Sequence, residues 1–253
     1  MSPSAPDAAN RDLLTFIAEH RFVVPEHAQA LLAGTHEQAR ARLRTLARAG
    51  YLTEQRVFAG QAPTYRCTRL GLHAIASDLR PSRISVGFYQ HEVGAAWLWL
   101  AARNGVFGRM REVLGERGLR SHDSRAQGSE QLFGVRLGGT GPGGRERLHY
   151  PDLLLVDERG RRIAIEYELT CKDSRRRERI LSGYASDPRI DAVLYVVHKP
   201  QVARAISASA ARLRISHLVH VQRVRPPATA PSAAPRATAI ERRPARKALE
   251  AAR

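Results

Sequence analysis

The sequence predicts a two-domain α/β protein, and three observations lead to that expectation. Residues 10–80 run as three amphipathic helical stretches followed by a β-hairpin pattern. Residues 83–224 run as helix, two or three strands, helix, strand, helix, strand, the order expected of helices packed on a mixed central sheet. The chain has 253 residues, 43% of them hydrophobic, which suffices for two cores and is too apolar for a wholly disordered chain. Residues 225–253 differ from both parts. They are rich in Ala and Pro, hold almost no large apolar side chain, and read as a disordered basic tail.

In the N-terminal part, Asp12 to His20 forms the first expected helix, with Leu13, Phe16 and Ile17 at helical spacing. Residues 24–33 form a short second one, with Val24 near its start and Leu31 and Leu32 near its end, and Gly34 breaks it. Thr35 is a good N-cap and Gln38 stands at the capping-box position, so a third helix runs from there to about Ala49 and stops at Gly50. It carries Arg40, Arg42, Arg44 and Arg48 against one acid, Glu37, and its apolar stripe is Ala39, Leu43, Leu46 and Ala47. Residues 51–58 and 64–68 are two strands around a turn containing Gly60 and Pro63, and residues 69–79 form a further helix.

This order is that of a winged helix-turn-helix. The run from the third helix through Gly50, Tyr51 and Leu52 to Tyr65, Thr68 and Gly71 resembles winged-helix DNA-binding domains. The resemblance implies that the third helix enters the major groove and the hairpin touches backbone or minor groove. Thr35, His36, Gln38, Arg40 and Arg42 are then the candidate DNA contacts of the helix, and Arg56 and Gln61 those of the wing. Winged helices also serve as dimer modules or spacers, so a purely structural role stays open beside DNA contact.

Pro81-Ser82 marks the expected domain boundary. A helix from Tyr89 to about Asn104 contains Trp97 and Trp99 and reads as mostly buried. A shorter helical stretch is expected near Gly108–Gly118, a strand over Leu132–Leu137, and a flexible loop over residues 138–144, five of which are Gly. Next, His149–Val156 and Arg161–Thr170 form a hairpin around Asp157–Gly160. Period two places Ile163, Ile165, Tyr167 and Leu169 on one face and Ala164, Glu166, Glu168 and Thr170 on the other. Two Glu on a mainly apolar strand are costly to bury without partners, and pairing across the hairpin brings Asp152 toward them. Three carboxylates at a strand edge suit Mg²⁺ or Mn²⁺, which polarises a phosphodiester and activates water. The alternative is a structural ion pair with nearby Arg. A basic helix from Lys172 to Tyr184 follows, its apolar side including Ile180, Leu181 and Tyr184, with Arg176 and Arg179 placed to face phosphates. A strand at Ala192–Val197, a helix at about 201–212 and a strand at about 216–222 complete the part.

The segment Pro151-Asp152 … Glu166-Tyr167-Glu168 resembles the core of the PD-(D/E)XK nuclease superfamily. The resemblance implies that Asp152 and Glu166 carry a metal ion. The third motif position, usually Lys, is here Glu168, and the nearest Lys is Lys172, just beyond the strand. An acid on the helix before the sheet is also implied, with Glu92 or Glu112 to fill that place. Over residues 10–222 the chain resembles the replication-relaxation family of actinobacterial plasmids and mobile elements. The matching features are Thr68-Arg-Leu-Gly71, His91-Glu92, the run from Pro151-Asp152 through Ile165 to Lys172, then Arg175, Ile180, Tyr184 and Val193–Val197.

That resemblance implies a double-stranded DNA-binding protein of plasmid or mobile-element replication or maintenance, with two forms open. In one it is a Mg²⁺- or Mn²⁺-dependent DNA endonuclease, with Asp152, Glu166, Glu168 and Lys172 catalytic and Asp152, Glu166, Glu168 and Glu92 as metal ligands. In the other it is a non-catalytic regulator or replication accessory, using a retired nuclease fold for dimerisation or DNA grip.

The formal charge of +17 points to a polyanion partner. It divides as +3 over residues 1–82, +9 over 83–224 and +5 over 225–253. Two Cys, Cys67 and Cys171, exclude a disulfide scaffold and an all-Cys metal cluster, and no disulfide between them is expected. No apolar run approaches the ~20 residues that span a bilayer, and residues 1–10 lack the apolar stretch of a secretory signal. A cytoplasmic protein without a membrane partner is the expectation.

Overall fold

The computed structural model describes residues 5–126, 133–141, 144 and 146–224. The tail expected over 225–253 lies outside them. The chain divides into two compact units between Leu100 and Ala101, so the Pro81-Ser82 position falls within the first.

The first unit opens with α1 (Ala8–Glu19). It starts earlier than its apolar spacing suggests because Asp7 caps it, accepting the Asn10 N–H at 2.7 Å. α2 (Pro25–Leu32) begins on a proline, whose missing N–H costs nothing in the first turn, and ends at Ala33 in the left-handed region. Three residues later α3 (His36–Arg48) starts from the expected capping box. Gln38 N–H donates to Thr35 Oγ1 at 3.2 Å, and Thr35 N–H donates to Gln38 Oε1 at 2.9 Å.

β1 (Leu52–Gln55) and β2 (Thr64–Cys67) pair antiparallel with Leu52 opposite Cys67, and Val23 bridges Tyr65. α4 (Arg69–Ala74) is shorter than expected, since the chain turns at Ala76 with φ 50°. Leu13, Phe16, Ile17, Leu43, Leu46, Leu52, Tyr65 and Leu72 fill the core of this unit. Most of α5 (Tyr89–Arg103) belongs to it too, with Trp99 against Phe16 and Trp97 against His27.

The second unit is built on a five-stranded sheet of order β3-β6-β7-β8-β9. Its strands are β3 (Met110–Gly115), β6 (Leu153–Asp157), β7 (Arg162–Glu168), β8 (Ala192–Val197) and β9 (Val219–Arg223). β3 and β7 flank β6 antiparallel, whereas β7, β8 and β9 run parallel. The sheet is therefore mixed, as expected. α7 (Ser174–Ala185) and α8 (Pro200–Arg212) are the crossovers of the parallel strands. A separate hairpin pairs β4 (Val135–Thr140) with β5 (Glu146–His149). Leu154, Ala164, Val193, Tyr195 and Val197 of the sheet share one core with Ile180, Leu181, Tyr184, Val202 and Ile206 of the two crossover helices.

Three expectations are corrected here. The stretch 108–118 is not helical. Residues 110–115 are the edge strand β3, paired with β6, and the helix α6 (Glu116–Arg125) begins only after it. The glycine-rich run is not all loop. β4 extends to Thr140, with Gly138 and Gly139 at φ 69° and 71° absorbing a register shift that most residues could not adopt. Finally, 149–156 is not one strand. β5 ends at His149, Pro151 interrupts the ladder, and β6 resumes at Leu153 in a different sheet. Among the described residues, no helix is long and apolar enough to cross a membrane.

Candidate functional site

The C-terminal end of β7 carries the candidate site. Ala164, on the same face as Glu166 and Glu168, packs in the core beneath α7 and α8. The alternation read from sequence therefore points both glutamates inward, and they are buried at 3% and 8% exposure. Burial at that level demands partners, and Tyr184, His149 and Lys172 supply them. Tyr184 of α7 donates its hydroxyl to Glu166 Oε1 at 2.5 Å. His149, at the end of β5, places Nε2 2.6 Å from the same oxygen. Lys172, in the turn after β7, reaches back to bring Nζ 2.5 Å from Glu168 Oε2 and 3.9 Å from Glu166 Oε2. Asp152, just before β6, accepts the Tyr167 N–H at 2.7 Å through Oδ2.

The hairpin pairing expected from sequence thus does bring Asp152 beside the β7 acids. Lys172 stands with both glutamates, and Tyr195 of β8 lies directly opposite Glu166. Arg177 fixes the turn that bears Lys172. Its Nη1 donates to the Lys172 carbonyl at 2.9 Å and its Nε to Ser209 Oγ of α8 at 2.9 Å. A recess lined by Glu168, Thr170, Cys171, Lys172, Arg177 and Tyr195, among others, opens here, with a cavity volume of about 10 Å³. That is room for about one water molecule.

The electrostatics follow from this packing. Burial alone would raise the Glu166 carboxyl; the His149 ring, the Lys172 ammonium and the Tyr184 hydroxyl outweigh it and hold the group down at about 2. Burial would lower the Lys172 ammonium, and the charges of Glu166, Glu168 and Asp152 instead hold it above the ordinary lysine value. Burial, then Glu166, pushes the Tyr184 phenol well above 10, so it stays a hydrogen-bond donor. Glu166 is thus held as a carboxylate, with Lys172 as the ammonium beside it.

These side chains do not fit the metal site implied by the nuclease resemblance. Hard divalent ions need several oxygens at roughly 2.0–2.6 Å. Glu166 Oε1 already accepts two hydrogen bonds, Glu168 Oε2 faces the ammonium of Lys172, and Asp152 Oδ2 is spent on a backbone N–H. Among the described residues, no group of three or more His, Cys, Asp and Glu is placed to hold a metal ion. Glu92 pairs with Arg21 at 2.7 Å within the first unit, and Glu112 is an exposed edge residue beside Arg111.

The candidate nucleic-acid contacts of the first unit separate into engaged and open side chains. Thr35 and Gln38 are committed to each other in the helix cap. Arg42 turns back to the start of α1, 3.4 Å from Asn10 Oδ1 and 3.8 Å from Asp7 Oδ1. His36 and Arg40 are half-buried, and Arg44 and Arg48 are exposed. At the hairpin tip, Arg56 donates to the Gln61 carbonyl at 3.2 Å, and Phe58 sits edge-on to Tyr89. On α7, Arg176 and Arg179 are exposed, with the Arg176 N–H donating to Asp173, the cap residue.

Two residues of the buried cluster, His149 and Tyr184, are not among the site residues expected from sequence, although His149 is expected near the site. Tyr184 lies in the apolar stripe of α7, and His149 immediately precedes Tyr150-Pro151; neither position signals an acid partner.

Comparison of the chain with protein-family models, with curated proteins and with solved structures finds no match.

Proposed function

We propose that this is a DNA-binding protein of plasmid or mobile-element replication or maintenance, acting without hydrolysing DNA. In this reading the first unit is a winged helix-turn-helix that presents α3 to duplex DNA, and the second is a nuclease-like α/β core serving as a scaffold for dimerisation or DNA grip. The observation that carries it is the stripe Arg40, Arg44 and Arg48. Spaced four residues apart, these lie along one side of α3, and Glu37 is the helix's single acid. The three-residue turn from α2 and the β1–β2 hairpin behind α3 supply the remaining parts of such a module. The motif resemblance to the replication-relaxation family supports the biological setting. The commitment of Glu166 to Tyr184 and His149, and of Glu168 to Lys172, supports the non-catalytic form.

The test is fluorescence anisotropy on labelled duplex DNA, comparing wild type with the Arg44→Glu/Arg48→Glu protein. Loss of binding in the variant, with its fold intact by circular dichroism, is the expected result. Equal binding by the two removes α3 from the contact.

A second reading, a Mg²⁺- or Mn²⁺-dependent DNA endonuclease, is favoured by one observation, the burial of two glutamates at the end of a central strand. Supercoiled plasmid incubated with either ion decides it. Cleavage by wild type and not by Glu166→Ala establishes the enzyme, and inertness of a DNA-binding protein leaves the first reading standing.

A further inference from the structure

We infer that Lys172 is a built-in counter-cation: its ammonium holds the place of a divalent ion at the end of β7 and keeps that site closed to metal. The inference concerns the second unit alone and is independent of whether the first unit meets DNA.

Three observations lead to it. The first is position. Lys172 Nζ lies 2.5 Å from Glu168 Oε2 and faces Glu166 Oε2 at 3.9 Å, so it sits on the open side of both carboxylates, at a distance from Glu168 where a hard cation would stand. The second is that the position is built. The Lys172 carbonyl is held by Arg177, which is itself anchored to Ser209 of α8, and the Lys172 side chain is only 26% exposed. The third is that the remaining carboxylate valence is already spent. Glu166 Oε1 accepts from Tyr184 and His149, which leaves the oxygens turned toward Lys172 as those with most to gain from a cation. A tethered ammonium meets that need with one charge and no coordination geometry.

Removing the ammonium leaves buried carboxylates without their cation, which is strongly unfavourable unless another positive charge enters. The experiment uses the full chain, as wild type, Lys172→Ala, Lys172→Met and Lys172→Ala/Glu168→Gln, without DNA. Mn²⁺ binding is read from the loss of the free-ion EPR signal, and Mn²⁺-dependent stabilisation from the melting temperature.

The expected result is that Lys172→Ala and Lys172→Met bind Mn²⁺ at least about tenfold more tightly than wild type. Both also melt higher as Mn²⁺ is added, and both effects disappear when Glu168→Gln is added. Wild type that binds Mn²⁺ as tightly as the variants overturns the inference, as does a folded Lys172→Met protein indifferent to Mn²⁺. Should both single variants fail to fold, refolding restored by Mn²⁺ supports the inference, and refolding unchanged by Mn²⁺ overturns it.

Discussion

Tyr184 and Glu166 are joined by a 2.5 Å hydrogen bond that ties the last turn of a crossover helix to the strand preceding it. Both residues are buried, and the bond shares its acceptor oxygen with His149. Tyr184→Phe keeps the ring and removes only the donor, so its cost isolates that bond. A hydrogen bond to a buried charge is worth roughly 1–3 kcal/mol. Urea denaturation followed by far-UV circular dichroism should show a loss of that size, with the m-value unchanged.

The same carboxylate makes stability depend on acid. The folded value for Glu166 is about 2, against an ordinary 4.5. A depressed carboxyl contributes stability that is fully present above the ordinary value and is lost as pH falls toward the folded one. Between pH 4.5 and about 2 the loss is on the order of 3 kcal/mol for this group. Denaturation curves collected across that window for wild type and Glu166→Gln should converge as the pH drops.

His27 produces a second acid effect in the other unit and at a higher pH. It is fully buried against Trp97, and its Nδ1 accepts the Val24 N–H at 3.3 Å. Burial lowers the ring from 6.5 to about 3. The unfolded chain therefore binds a proton below pH 6.5 that the folded chain refuses, and stability falls by about 1.4 kcal/mol per pH unit across that window. Both tryptophans of the chain, Trp97 and Trp99, lie in this unit, so their fluorescence isolates it. His27→Gln retains an acceptor at the third helical position and should flatten the slope.

Phosphate contacts leave a signature in salt dependence. Arg44→Ala and Arg48→Ala should each lower the slope of log K against log salt by about 1 in anisotropy titrations with duplex DNA. Thr35→Ala is the matching control. It should cost about 1 kcal/mol of stability through the lost cap and leave the salt slope where it was.

Gly71 is required by close approach. A β-carbon there would stand 2.2 Å from the Tyr51 carbonyl oxygen, and a backbone atom does not swing aside. Gly71→Ala should therefore destabilise the first unit by about 1–3 kcal/mol. Gly87→Ala, where a β-carbon meets nothing within 4 Å, should stay within about 0.5 kcal/mol of wild type. Thermal melts of the two variants make the comparison.

What was legible in the sequence was local. The Thr35–Gln38 box and the Gly50 stop delimit α3 because caps act within one helical turn. The grouping of Glu166 with Glu168 on one face of β7 followed from period two, and the approach of Asp152 from a hairpin whose turn the sequence displays. What escaped was set by distant chain. Met110–Gly115 has no clean alternation, and it is a strand because β6 offers it an edge. Tyr184 and His149 reach Glu166 only because α7 crosses over the sheet and Pro151 parts β5 from β6. Lys172 itself was legible as the nearest Lys beyond the strand, whereas the anchoring of its turn through Arg177 of α7 to Ser209 of α8 was not. Tyr184 and His149 lie 18 and 17 residues from Glu166, so no local window of sequence displays either contact.

The Glu166 cluster has a last consequence, for how the sheet finds its pairing. β6 and β8 are almost uniformly apolar, so a slip of β7 by one residue would lose little by way of greasy contact. Such a slip would, however, turn Glu166 and Glu168 to the opposite face. It would leave the Tyr184 hydroxyl, the His149 ring and the Lys172 ammonium facing hydrocarbon. One misaligned residue thus forfeits three polar partnerships at once, and the cluster acts as a proofreading mark by which the folding chain rejects near-miss alignments.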